Sequence, residues 1–206
     1  MKKWLIRSAA SMALLFMIGF LIFYGVSIYQ RHRAQSFLEE LASLRLGVSS
    51  FSDAQRLAQK YGGQPWDVPL RAPVCSAQHC SLRFVFENKI LNHIQNNREI
   101  SLAAALTVKD GYVVSREVDY AILGPALWSD HFVYQLSDHL SPANSPQSYN
   151  VTKLKLDAQG TPHWVKVDLS PDVPEDIRRH AYALDLACLA RLHGCDDLSV
   201  VLPKGL

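Results

Sequence analysis

Residues 100–120, ISLAAALTVKDGYVVSREVDY, read as two strands joined by a turn. Ile100, Leu102, Ala104, Leu106 and Val108 recur with period two, and Tyr112, Val114, Arg116, Val118 and Tyr120 repeat the pattern beyond Lys109, Asp110 and Gly111. A turn of Asp110 and Gly111 alone pairs Lys109 with Tyr112 and sets Leu106 against Ser115, so apolar residues meet polar ones. A three-residue loop moves the register by one and transfers the whole set to the matching face. Val108 then pairs with Tyr112, Leu106 with Val114, Ala104 with Arg116, Leu102 with Val118 and Ile100 with Tyr120, and Gly111 takes φ > 0 at the end of the loop.

Strand signals continue on both sides. Leu82, Phe84 and Phe86 precede the hairpin, and Phe132, Tyr134 and Leu136 follow it. After the proline-containing loop SPANSPQS at 141–148, residues 150–156 and 161–169 flank Asp157, Ala158, Gln159 and Gly160 as a second hairpin. Upstream, Phe37, Leu38, Leu41 and Leu44 mark an amphipathic helix over 34–44, and Leu44, Leu46 and Val48 alternate as a short strand. Ser52 and Gln55 form a capping box for a helix that Gly62 and Gly63 stop. Residues 64–80 are irregular, with Pro65, Pro69 and Pro73, and Trp66 packs the loop down. A final helix starts near Asp172, with Pro174 and Glu175 in its first turn. Its apolar stripe is Ile177, Ala181, Leu184, Cys188 and Leu192, and Gly194 ends it. The order is that of an α+β fold: a mainly antiparallel sheet with a C-terminal helix packed on it. Helix-grip proteins, whose curled sheet wraps a C-terminal helix around an apolar cavity, share that order.

Residues 8–29, SAASMALLFMIGFLIFYGVSIY, carry no charge and reach about 33 Å as a helix, enough for a hydrocarbon core of about 30 Å. A secretory h-region runs only about 7–15 residues, so the run reads as a retained single-pass anchor rather than a cleaved signal. Lys2, Lys3, Arg7 and the amino terminus outweigh Arg31 and Arg33, which places the N-terminus in the cytoplasm. The chain then divides into 1–33, the tail, anchor and basic flank, and 34–206, one extracytoplasmic domain at the cell membrane. Five of the 21 Lys and Arg lie at or before Arg33 and all 19 acidic residues lie after it, so the displayed domain has net charge −3. That balance argues against a nucleic-acid footprint or a polybasic lipid patch, both of which need clustered positive charge.

Cys75, Cys80, Cys188 and Cys195 all fall in the displayed domain, where an even number suggests structural disulfides. Three connectivities are open, and short separations favour Cys75 with Cys80 and Cys188 with Cys195. Zinc is the rival, held by Cys75, His79, Cys80, His193 and Cys195, although the spacing matches neither CxxC pairs nor a His pair. There is no GxSxG, HExxH, phosphate loop or calcium loop, so no catalytic residue and no cofactor is assigned. Asp130, His131, Asp138 and His139 are the densest acid and imidazole group, and Glu117 and Asp119 share one strand face as a carboxylate pair. Asn150-Val151-Thr152 matches a glycosylation acceptor, which is informative only in a eukaryotic secretory chain.

Leu46-Gly47, Ser50-Phe51, Asp53, Tyr61-Gly62-Gly63, Cys188, Gly194-Cys195 and Leu202-Pro203 together resemble uncharacterised single-pass proteins found in acidobacteria. The resemblance spans most of the displayed domain. It implies an extracytoplasmic placement and adds no activity. The expected function is a membrane-anchored module that binds a protein, a polymer or an apolar ligand, with an envelope hydrolase built on the Asp/His group as the alternative.

Overall fold

Helix α1 (Lys2–Ser43) is one uninterrupted element of 42 residues. No glycine or proline falls between Gly25 and Gly47, and the stretch is rich in Ala, Leu, Gln and Glu, so nothing breaks the helix where the apolar run ends. The computed structural model describes residues 2–66, 75–94, 99–123, 132–140, 149–156, 162–191, 195 and 200–203. Along α1, Met12 to Val26 are mostly exposed, and a buried stripe then begins at Ser27 and continues through Ala34, Phe37, Leu38 and Leu41. The anchor and the helix expected over 34–44 are therefore one rod, and the boundary after residue 33 does not interrupt it.

After α1 come α2 (Phe51–Tyr61), β1 (Gln64–Pro65), β2 (His79–Glu87), α3 (Lys89–Ile94), β3 (Glu99–Lys109), β4 (Tyr112–Leu123), β5 (Phe132–His139), β6 (Tyr149–Leu156), β7 (Pro162–Leu169), α4 (Glu175–Ala181) and a 3₁₀ turn (Leu186–Leu189). The seven strands form one sheet in the order β1-β2-β3-β4-β5-β7-β6, antiparallel except for β5 with β7. The fold is α+β, and β6 and β7 pair as the expected hairpin. The inner face of the sheet closes on α1. Phe37 meets Phe84, Phe86 and Tyr61 at ring-centroid distances of 4.7, 4.8 and 5.3 Å. The N-terminal helix thus packs against the inner face of the sheet at β2.

The C-terminal helix is shorter than its periodicity suggested. It ends at Ala181, with Tyr182 at its C-cap, and Arg178 and Tyr182 both turn toward a polar cluster in the core. Asp185 then starts a separate 3₁₀ turn by accepting from Ala187 N at 2.7 Å, and this turn seats Leu186, Cys188 and Leu189 in the core. Two local expectations also change. Residues 44–48 form turns rather than a strand, with Gly47 N bonded to Val113 O. The capping box of α2 begins at Ser50: its side chain accepts from Asp53 N, and the Asp53 carboxylate accepts from Ser50 N.

The first hairpin corrects the three-residue loop. Lys109 pairs with Tyr112, so Asp110 and Gly111 alone form the turn, with φ of 52° and 86°. Both central residues are left-handed, which is the type I′ geometry favoured by Asp-Gly. The mismatch is absorbed by a bulge, because Val108 pairs with Val113 while Thr107 pairs with Ser115. Beyond it Leu106 faces Arg116, Ala104 faces Val118 and Leu102 faces Tyr120.

Gly63 and Gly111 separate two reasons for a glycine. A Cβ on Gly63 would lie 2.4 Å from the Phe84 ring, whereas one on Gly111 meets nothing within 4 Å. Gly111→Val should cost about 1–2 kcal/mol through left-handed strain alone, and Gly63→Ala about 1–3 kcal/mol by displacing Phe84. Urea unfolding of the full chain in micelles checks both. A Gly63→Ala protein as stable as the parent would contradict the close approach.

Candidate functional site

Arg116 stands on the inward row of β4, 1% exposed. One guanidinium nitrogen donates to the carbonyls of Leu41 at 2.8 Å, Ala42 at 3.0 Å and Leu44 at 2.6 Å, the end of α1. The other nitrogen is bonded to Asp138, itself fully buried on β5. Asp138 also binds Arg178 of α4, whose second nitrogen donates to Ser170 O at 3.1 Å and Pro171 O at 3.3 Å. Tyr182 lies below, its ring centroid 5.1 Å from the Arg116 guanidinium and its hydroxyl 3.5 Å from Asp138. Burial holds that hydroxyl protonated well above its ordinary range, with Arg116 acting in the opposite direction. The two cations exceed the one carboxylate, and carbonyl dipoles answer the excess.

The chain of alternating charge continues outward. Arg178 Nε lies 3.8 Å from Glu175, which pairs with exposed Arg179 at 3.2 Å. Glu175, Arg179, Tyr182 and Ala183 form one wall of a cleft of about 440 Å³, and α1 supplies the other through Gln35, Leu38, Glu39, Ala42 and Ser43, with Arg45 at its end. The spacing of the α1 residues places them on one helix face. Leu38, Ala42, Tyr182 and Ala183 are its apolar or aromatic part, and Glu39, Arg45, Glu175 and Arg179 supply charges of both signs. A second cleft of about 430 Å³ lies beside β1 and is lined by Gly62, Gln64, Pro65, Trp66, Arg83 and Val85. Trp66 is 44% exposed there, with the Arg83 guanidinium 5.2 Å from its ring, and residues 67–74 of the loop it was expected to pack lie outside the described residues.

The residues singled out in the sequence scatter. Asp138 belongs to the buried ion network, whereas His139 points outward, 3.8 Å from Glu117. Asp130 and His131 lie outside the described residues, as does His193. Glu117 and Asp119 share the outer face of β4. Burial pushes the Asp119 carboxyl up and the nearby Glu117 charge adds to the shift. That face forms neither of the two clefts. Asn150-Val151-Thr152 lies on edge strand β6. Arg116 and Arg178 escaped the sequence reading. The available signal was Arg116 on an otherwise apolar strand row, which requires a buried anion; Arg178 lies outside the stripe read from Ile177 to Leu192 and carried no such signal.

Cys75 bonds Cys80 and Cys188 bonds Cys195, with Cα separations of 4.4 and 5.5 Å. Disulfide sulfurs cannot serve as thiolate ligands, so the zinc alternative loses its cysteines. The first bridge closes a loop whose Ala77 and Gln78 carbonyls receive Gly111 N at 2.6 Å and Asp110 N at 3.1 Å. It therefore holds the hairpin tip. No family model, curated protein or solved structure matches the chain.

Removing one partner of a buried ion pair leaves the others uncompensated. Asp138→Asn should cost about 3–5 kcal/mol in urea unfolding, whereas Arg179→Ala, at the exposed end of the same chain of charges, should cost less than about 1 kcal/mol. Equal losses would show that burial does not govern the network. Denatured without reductant, the protein should expose no reactive thiol, and thiol titration of the unfolded chain would reveal any cysteine outside the two bridges.

Proposed function

We propose that the chain is a membrane-anchored interaction module, displayed outside the cytoplasmic membrane, whose cleft between α1 and α4 receives a polypeptide segment of a protein partner. The cleft itself carries the reading. Its walls are two elements locked by a buried ion network, so its shape is set before a partner arrives, and little ordering cost remains for binding. The composition selects among partners. An apolar ligand is best held in an enclosed, mostly apolar cavity, whereas this cleft is open and carries four charged side chains around Leu38, Ala42 and Tyr182. That is the pattern of an apolar centre with a polar rim. Two disulfides suit an oxidising compartment, which supports display outside the cytoplasm. The long apolar helix supports the anchor.

The hydrolase alternative rested on His131, Asp130 and their neighbours, of which only Asp138 and His139 fall among the described residues. Both Asp138 oxygens are already committed, one to Arg178 and the other to Arg116 and the Tyr182 hydroxyl, so no oxygen is left to take a proton from water. Among the described residues, no arrangement favours that alternative.

A photoreactive phenylalanine analogue at Ala183, in the full chain in its native membrane, should give a discrete protein adduct on irradiation. The same group at Tyr112, which does not line the cleft, should not, and Ala42→Trp should abolish the Ala183 adduct by filling the cleft. Absence of an adduct at Ala183, or equal adducts at both positions, would refute the cleft as the docking site. A C-terminal reporter active only in the cytoplasm tests placement separately, and its activity would overturn display outside.

A further inference from the structure

We propose that α3 is a membrane foot: Ile90 and Ile94 insert into the headgroup–acyl boundary of the same bilayer that holds α1. The inference rests on the anchor reading. Asn88, between β2 and α3, donates to Ser27 Oγ at 2.8 Å, and its Oδ1 accepts from Leu91 N at 3.1 Å. One side chain thereby ties the first turn of α3 to α1. Ser27 belongs to the last turn of the uncharged run 8–29. A hydrocarbon core of about 30 Å centred on that run ends close to Ser27, so α3 stands at the boundary and not above it.

The side chains of α3 divide accordingly. Leu91 is fully buried against the domain, whereas Ile90 and Ile94, one helical turn apart, are 53% and 58% exposed. Lys89 lies beside them and pairs with Glu87 at 3.3 Å. Tyr24 and Tyr29 are exposed on α1 at the same level, where aromatic side chains favour the membrane interface. The first charge beyond them, Arg31, is paired with Asp185 at 3.5 Å, at the start of the 3₁₀ turn that also borders Asn88. Because α1 runs into the core without a linker, the domain cannot lift α3 away from the bilayer by swinging on a tether.

All four native cysteines are in disulfides, so single cysteines introduced at Ile90 and Ile94 can be labelled selectively. The full chain, carrying an environment-sensitive fluorophore at one of these positions, is reconstituted in vesicles of phosphatidylcholine and phosphatidylglycerol. The expected result is blue-shifted emission, quenched severalfold more by lipids with a shallow nitroxide than the emission of the same label at Tyr112. A label at Phe16 reports on the anchor and should be quenched by deep nitroxides. Quenching at Phe16 with water-like emission at Ile90 and Ile94 would overturn the foot and leave the anchor intact. Failure at Phe16 would overturn both. Blue-shifted emission at Ile94 untouched by any nitroxide lipid would assign the face to a second copy of the chain and overturn the proposal.

Discussion

The structure depends on one arginine. A helix that ends inside a core leaves its last carbonyls without partners and concentrates the negative end of its dipole there. α1 ends in this way, and Arg116 answers both problems by placing its charge and donors on the carbonyls of Leu41, Ala42 and Leu44. A lysine has no planar fork with which to reach these carbonyls and Asp138 together. Asp138 makes the buried cation tolerable, and Arg178 brings α4 to the same point. Burial of such charges is weak evidence for extra stability, since apolar replacements of a whole network are often as stable. Its value here is positional: it fixes where α1 stops, and with it the spacing of the cleft walls.

That fixed end has consequences for geometry relative to the membrane. Because the anchor and the central core helix are one element, the height of each part can be read along α1 at 1.5 Å per residue. Gln35 lies about 9 Å and Ser43 about 21 Å beyond Tyr29. With the run 8–29 spanning a bilayer as proposed, the cleft would open just above the headgroups, and a partner segment entering it would have to approach close to the bilayer. A domain on a flexible tether would carry no such restriction.

The sequence showed strands β2 to β7 along the chain and the disulfide pairing, because alternation, turn residues and short cysteine separations are local signals, but not β1, α3 or the parallel pairing of β5 with β7. It misplaced what depends on the core. The helical period from Ile177 to Leu192 was present, yet Arg178 and Tyr182 turn inward to meet Asp138, a residue far away in sequence, and the helix gives way after Ala181. Asp138 itself was singled out for acid and base chemistry. Its company of aspartate and histidine along the chain disguised the fact that its spatial neighbours are two arginines. The packing of α1 on the sheet was equally hidden, since a helix continuous with an apolar run carries no mark of where that run stops and the core begins.

The hairpin shows how a local rule can hold while its consequence fails. Asp-Gly signals a two-residue turn, and the mismatch that this turn creates is real. The extra residue is taken up in strand β4 and not in the loop, because the tip is already bonded at several points. Gly111 N and Asp110 N reach Ala77 and Gln78, and Gly111 O receives Phe51 N at 2.9 Å. A longer loop would have to break these bonds. The bulge instead turns the backbone of Val113 toward the segment that follows α1, where it donates to Ser49 O at 2.9 Å and accepts from Gly47 N at 2.8 Å. Three residues later the same strand delivers Arg116 to the last carbonyls of α1. One irregularity in β4 therefore lets a single strand hold both the end of the anchor helix and the chain that leaves it, a double grip that a regular ladder through Val114 would not provide.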